Sequence, residues 1–223
     1  MKKLFIGFIL SLIVITQYAQ VTKFDSKESF YPQFYPYPGN DYRSASGEPG
    51  PKYWQNRADY KINATLDTGS HKVSGDVEIT YTNNSPDNLK FLWLQVDQNI
   101  YREDSRGSAT TTQAGGRWAN TKFTEGDVIK SITVDAELNH TRQNILLRDT
   151  RMQVWLNDAL KGSGNKVKIK ISFEFTVPEY GTDRMGRLKT KNGWVYEVAQ
   201  WFPRLCVYDD IQGWNTLPYV GTR

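Results

Sequence analysis

From Ala58 onward the chain alternates apolar and polar positions with a period of two. Tyr60, Ile62, Ala64 and Leu66 interleave with Asp59, Lys61, Asn63, Thr65 and Asp67. After Thr68-Gly69-Ser70 the alternation resumes, with Val73, Gly75, Val77, Ile79 and Tyr81 against Ser74, Asp76, Glu78, Thr80 and Thr82. Successive strand side chains point to opposite faces, so these two runs predict a β-hairpin with one apolar and one polar face. Asn83-Asn84-Ser85-Pro86-Asp87 is a turn cluster. Phe91–Val96 is almost continuously apolar, which predicts a strand buried on both faces. Further strands are predicted at Val128–Val134, Ile145–Leu147 and Met152–Leu156. The clearest runs from Val167 to Phe175, where Val167, Ile169, Ile171, Phe173 and Phe175 alternate with Lys168, Lys170, Ser172 and Glu174. Only Gln153–Lys161 offers a helical period, and it is short. The pattern predicts an all-β fold, mainly antiparallel, with one face of many strands in water.

Two stretches break the alternation. Residues 22–53 carry Pro32, Pro36, Pro38, Pro49 and Pro51 among Phe30, Tyr31, Phe34, Tyr35, Tyr37 and Tyr42. Prolines at this density exclude helix and favour extended chain. The rings either pack along the domain or form an aromatic recognition surface; packing is favoured, because linkers seldom hold so many large rings. Residues 102–127, with Gly107, Gly115 and Gly116, read as a surface excursion with some local order.

The first residues belong to neither class. Lys2 and Lys3 precede an apolar run from Leu4 to Ile15. At ~1.5 Å per residue it covers roughly 18 Å, short of the ~30 Å hydrocarbon core. A basic start and a run of this length predict a secretory signal peptide, with cleavage after Ala19. The expected organisation is a signal peptide at 1–19, an extended arm at 20–57 and a β-domain at 58–223. The protein is expected to be exported, periplasmic or secreted, without a membrane span.

Charge then changes meaning. The 223 residues carry 28 Lys and Arg against 24 Asp and Glu, with a pI near 9.0. Subtracting the two lysines at positions 2 and 3 from the 28 basic groups leaves 26 against 24, a net charge of +2. No block of Lys or Arg remains to follow a phosphate backbone, so nucleic acid is not expected as a partner. One cysteine excludes an internal disulfide and a Cys-cluster metal site, and two histidines leave little material for a His-based one.

Candidate chemistry concentrates near the end of the chain. Trp194-Val195-Tyr196-Glu197-Val198-Ala199-Gln200-Trp201-Phe202 is apolar on both alternating faces except at Glu197 and Gln200. A buried carboxylate is costly unless paired, so Glu197 requires a reason; read alone, a solvated or structurally paired Glu is favoured. Asp209 and Asp210 are adjacent, so on a strand they point apart and cannot serve one bond as acid and base. His71 and His140 lie far apart in polar, turn-like contexts and read as surface histidines. Cys206, between apolar neighbours and without a nearby His, reads as a small core residue. No catalytic or metal-ligating residue is assigned.

Five segments stand out together: Gly50-Pro51-Lys52-Tyr53-Trp54-Gln55, the first hairpin, Leu92-Trp93-Leu94-Gln95-Val96-Asp97-Gln98-Asn99, Gln200-Trp201-Phe202-Pro203-Arg204, and Val207-Tyr208-Asp209-Asp210-Ile211-Gln212-Gly213-Trp214-Asn215. Together they resemble exported bacterial zinc aminopeptidases of the M1 family. The likeness runs from about Gly50 to the C-terminus, and its closing segment is the most specific part. It implies the saddle-like, mostly antiparallel amino-terminal β-domain of that family, which docks on a zinc catalytic domain. The family's H-E-x-x-H and G-x-M-E-N motifs are absent, so zinc and catalysis are expected in a downstream domain, and the last strands of the β-domain are expected beyond Arg223.

In that family a Glu or Gln twelve positions before the Asp of an F-D-E-like segment contacts the substrate's free α-amino group. Twelve before Asp209 is Glu197, although Tyr208-Asp209-Asp210 lacks the Pro that follows in F-D-E-P. The resemblance therefore implies a peptide substrate whose amino terminus Glu197 helps to recognise, in a chain not catalytic alone. The alternative is a non-catalytic exported β-sandwich that binds carbohydrate or protein through its seven Trp and thirteen Tyr.

Overall fold

A computed structural model describes residues 38–110, 122–135, 137–138, 144–179 and 185–220. The predicted signal peptide, the ring-bearing residues 30–37, most of the excursion's glycine-rich part and His140 lie outside them. The chain forms two compact units, Met1–Tyr53 and Trp54–Arg223. In the described part of the first, a tight loop is closed by a bridge between Arg43 and Pro49. Asn40 Oδ1 accepts the backbone N–H groups of Tyr42 and Arg43, an Asx turn that reverses the chain.

The second unit is antiparallel β-structure, as the alternation predicts. Strands β1 (Arg57–Asp67), β2 (Lys72–Asn83), β4 (Val128–Val134), β5 (Glu137–Leu138) and β8 (Asn165–Thr176) form a five-stranded sheet in the order β1-β2-β8-β4-β5. Register follows from the apolar pattern: Ile62 faces Val77, Val77 faces Ile171 and Ile171 faces Ile132. A one-residue slip would turn this whole row into water. The opposite face is polar, with Glu78 between Lys168 and Lys170 and Glu174 between Lys72 and Lys130. Such exposed pairs contribute little to stability and mark the solvated side.

A second sheet has the order β11-β3-β7-β6, built from β3 (Leu89–Gln95), β6 (Ile145–Arg148), β7 (Arg151–Leu160) and β11 (Arg204–Leu205). Its Leu92, Leu94, Met152 and Val154 are buried with Val77, Ile79, Ile169, Ile171 and Phe173 of the first sheet in one core. Two two-stranded ribbons complete the unit: β9 (Met185–Thr190) with β10 (Gly193–Val198), and β12 (Tyr208–Asp209) with β13 (Gly213–Trp214). No helix among the described residues is long and apolar enough to cross a membrane.

Three expectations are corrected. Gln153–Lys161 is not helical but lies in β7 and its end. Its pairing with β3 is irregular there: Leu89 pairs with Leu160 and Phe91 with Trp155, so residues 156–159 break the period-two pattern opposite Lys90. Phe91–Val96 is not buried on both faces; Leu92, Leu94 and Val96 are buried, whereas Phe91, Trp93 and Gln95 are only half-buried. Gly213-Trp214 leaves a turn as strand β13, with Trp214 paired to Tyr208. His71 is not a free surface histidine, for it is half-buried and its ring packs against the β9–β10 ribbon. The excursion after Tyr101 does carry local order, a one-turn helix at Arg106–Thr110. The Asn83–Asp87 cluster is a true turn around a fully buried Asn83, whose Nδ2 donates to the carbonyls of Asp87, Leu160 and Lys161.

Candidate functional site

The β9–β10 ribbon resolves the anomaly at Glu197. Lys191-Asn192 make its turn, and Gly193 leaves it at φ 122°, a conformation that favours glycine. The Asn-Gly pair between two alternating runs is a strong hairpin signal, and it is the cue the sequence offers for this element. Pairing places Tyr196 opposite Arg187 and Trp194 opposite Lys189 on one face. On the other, Glu197 is opposite Gly186 and Val195 is opposite Leu188. Two very different surfaces result from one six-residue strand.

The first face is packed. His71, at the β1–β2 turn with φ 58°, pairs its Nδ1 with the Tyr196 hydroxyl at 2.6 Å and sets its ring edge-on to Trp194, centroids 4.5 Å apart. Arg187 and Lys189 stand 5.6 and 5.0 Å from the Trp194 ring centre, cation–π range. The second face is open. Leu188 and Val195 are 65% and 56% exposed, and Glu197 is exposed beside them. The carboxylate therefore carries no burial cost, and glycine opposite it leaves the space across the ribbon clear.

The ribbon's exit is fixed by the segment after β3. Gln98, buried on a 3-10 turn at Asp97–Tyr101, donates its side-chain amide to the carbonyls of Ala199 and Gln200 at 3.2 and 2.9 Å. Gln200 itself adopts φ 45°, unusual for a residue with a side chain. Four residues on, Arg204 donates from Nε and Nη2 to Asp97 Oδ2 at 2.9 and 2.7 Å. Burial holds Asp97 above the ordinary carboxylate range even though Arg204 pulls it down. Asp97-Gln98-Asn99 and Gln200-Trp201-Phe202-Pro203-Arg204, separated by about a hundred residues in sequence, are thus one hydrogen-bonded assembly. Both segments carry the family resemblance, yet sequence reasoning assigns no role to Asp97, Gln98 or Arg204, because neither segment alone signals that they meet.

The remaining candidates have structural duties. Asp209 Oδ1 accepts the backbone N–H groups of Ile211 and Gln212 and so caps the β12–β13 turn. Tyr208 donates its hydroxyl to Asp87 Oδ2 at 2.7 Å and packs on Trp54 and Trp214. The Cys206 thiol is buried, and burial pushes it up to about 12, so it stays protonated and unreactive at neutral pH. Among the described residues no three of His, Cys, Asp and Glu come together as a donor set for a metal.

No protein-family model and no curated protein matches the chain.

Proposed function

We propose that this chain is the substrate-recognising β-domain of an exported M1-like zinc aminopeptidase, and that Glu197 binds the free α-amino group of a peptide. The observation that carries the reading is the open face of the β9–β10 ribbon: a carboxylate in solvent reach, glycine across from it, and exposed Leu188 and Val195 alongside. The α-amino group of a peptide ordinarily titrates at ~7.7–8.0 and is largely cationic at neutral pH. A placed carboxylate gives it a charge-assisted hydrogen bond of roughly 1.5–3 kcal/mol, while the apolar neighbours suit its first side chain. In this reading the zinc-holding residues and the chemistry of bond cleavage belong to a catalytic domain that partners this one.

The test compares free and N-acetylated peptides. With the intact aminopeptidase, Glu197→Ala should raise KM for free-amine substrates by roughly ten- to a hundredfold, the range those energies imply. It should also narrow the preference over N-acetylated ones. An unchanged ratio for the two substrates removes Glu197 from the site.

A second reading, a carbohydrate- or protein-binding module, is favoured by one feature. Trp155 is 41% exposed on the outer face of the second sheet, its ring 5.0 Å from that of Phe91. Saturable binding in a glycan array, abolished by Trp155→Ala and indifferent to Glu197→Ala, would select it.

A further inference from the structure

One edge of the β9–β10 ribbon has no partner among the described residues: β10 pairs only with β9. The two-residue turn Lys191-Asn192 closes on the pair Thr190–Gly193, and in such a hairpin the closing residues turn their N–H and C=O groups toward each other. Alternation then turns the main-chain groups of Val195 and Glu197 toward β9 as well, and those of Trp194, Tyr196 and Val198 outward. The far edge of the ribbon agrees with this assignment. Arg187, the partner of Tyr196, also points outward, and it donates its N–H to the Pro178 carbonyl at 3.1 Å. No described residue takes up the main-chain groups of Trp194, Tyr196 or Val198 in the same way. Edge strands are usually blunted by lysine, proline or a bulge. β10 contains none of these, and its register with β9 is unbroken from Gly193 to Val198.

We propose that this edge is a docking strand for an extended peptide, which adds to the ribbon antiparallel to β10 with its amino terminus at Glu197. The amino-terminal anchor rests on the Glu197 reading, and the main-chain pairing is additional to it.

Direction follows from what bounds the edge. Past Val198 the extended chain ends, for Gln200 turns to φ 45°. In the hub formed by Asp97, Gln98 and Arg204, the Gln98 amide already occupies the carbonyls of Ala199 and Gln200. A peptide that starts at Glu197 therefore runs back toward the turn. Its first residue lies opposite Glu197, its second exchanges N–H and C=O bonds with Tyr196, and its fourth does so with Trp194. Cross-strand neighbours share a face, so the first and third side chains stand on the open face of the ribbon. The third lies beside Val195 and Leu188, which are 56% and 65% exposed. The ligand this arrangement fits is a peptide with a free amine and apolar first and third residues. Main-chain bonds hold it without regard to sequence, and the alternate side chains set the preference.

The experiment follows amide exchange in the full ¹⁵N-labelled chain by NMR. The probe is a short peptide of alternating leucine and threonine, leucine first and amino terminus free, added to about 1 mM. Trp194 and Tyr196 are expected to gain about fivefold protection or more. Val195 and Glu197, already bonded to β9, and Val198, beyond the peptide's start, should not change. N-methylation of the peptide's second residue removes its donor to Tyr196 and should weaken binding roughly three- to tenfold. N-methylation of the third, whose N–H points away from the ribbon, should change it by less than about twofold. Protection spread evenly over all five amides, or absent at this concentration, overturns the proposal. Binding that falls on acetylation or in Glu197→Ala without protection at Trp194 and Tyr196 upholds the amine site and overturns strand addition. Protection at both that acetylation leaves unchanged upholds strand addition and removes Glu197 as the anchor. Protection that rises with protein concentration before any peptide is added assigns the edge to a second copy of the chain and overturns the peptide assignment.

Discussion

Arg204→Met is the most informative single change at the hub. The guanidinium makes both of its described bonds to one oxygen of Asp97, whose side chain is 1% exposed while that of Arg204 is 42% exposed. Removing it leaves a buried carboxylate without compensation, which costs about 3–5 kcal/mol in closed sites. Arg204 reaches solvent, so water can enter behind the shorter Met and the low end, about 3 kcal/mol, is expected. For a domain of this size each kcal/mol lowers Tm by about 2–4 °C, giving a fall of roughly 6–12 °C.

The sign with pH follows from Asp97. Arg204 lowers its pKa, so the variant's folded Asp97 lies further above its unfolded value. A raised folded pKa means stability present at low pH and lost as pH rises, so the gap between variant and wild type should be small near pH 4 and widen toward pH 7. Adding Asp97→Asn to Arg204→Met removes the uncompensated charge and should recover about 2 kcal/mol. Urea unfolding of the wild type, Arg204→Met, Asp97→Asn and the double variant at pH 4 and pH 7 measures all of this. A loss under 1 kcal/mol, or one that neither acid nor Asp97→Asn reduces, would refute the claim that Asp97 is a buried charge held by Arg204.

The other tests are simpler. Gln98→Leu deletes both bonds to the Ala199 and Gln200 carbonyls; hydrogen exchange should rise at the end of β10 while β8 keeps its protection, and uniform loss across the chain would show a global rather than local role. The Cys206 thiol should react with a neutral disulfide reagent at least a hundredfold more slowly than free cysteine at pH 7, reaching the free rate only in denaturant. Prompt labelling of the folded chain would contradict its burial. These stand beside the Glu197 experiment and touch different parts of the unit.

The strands are legible in the residues because one side of each meets an apolar core. Tyr60 to Tyr81 and Val167 to Phe175 declare their faces by alternation alone, and β1, β2 and β8 follow with registers that keep Ile62, Val77 and Ile171 in one row. Where pattern depends on a partner, sequence misleads. Gln153–Lys161 looks helical, but it is a strand whose register with β3 shifts between Leu89 and Phe91, and Phe91–Val96 looks buried throughout although its outer side is only half-covered.

Glu197 shows the division most clearly. Its position in an apolar run and its spacing from Asp209 can be read from the chain, but whether it is buried cannot. Pairing with Gly186 puts it on the open side, while His71, a hundred and more residues away, covers the Trp194–Tyr196 side. The amino-acid order by itself determined the fold class and most strand faces, since these rest on local periodicity, whereas Glu197 became a candidate through the family resemblance. Tertiary structure alone decided that Asp97, Gln98 and Arg204 share a hub, because their meeting depends on long-range strand pairing and on the low-dielectric interior that makes few charges count.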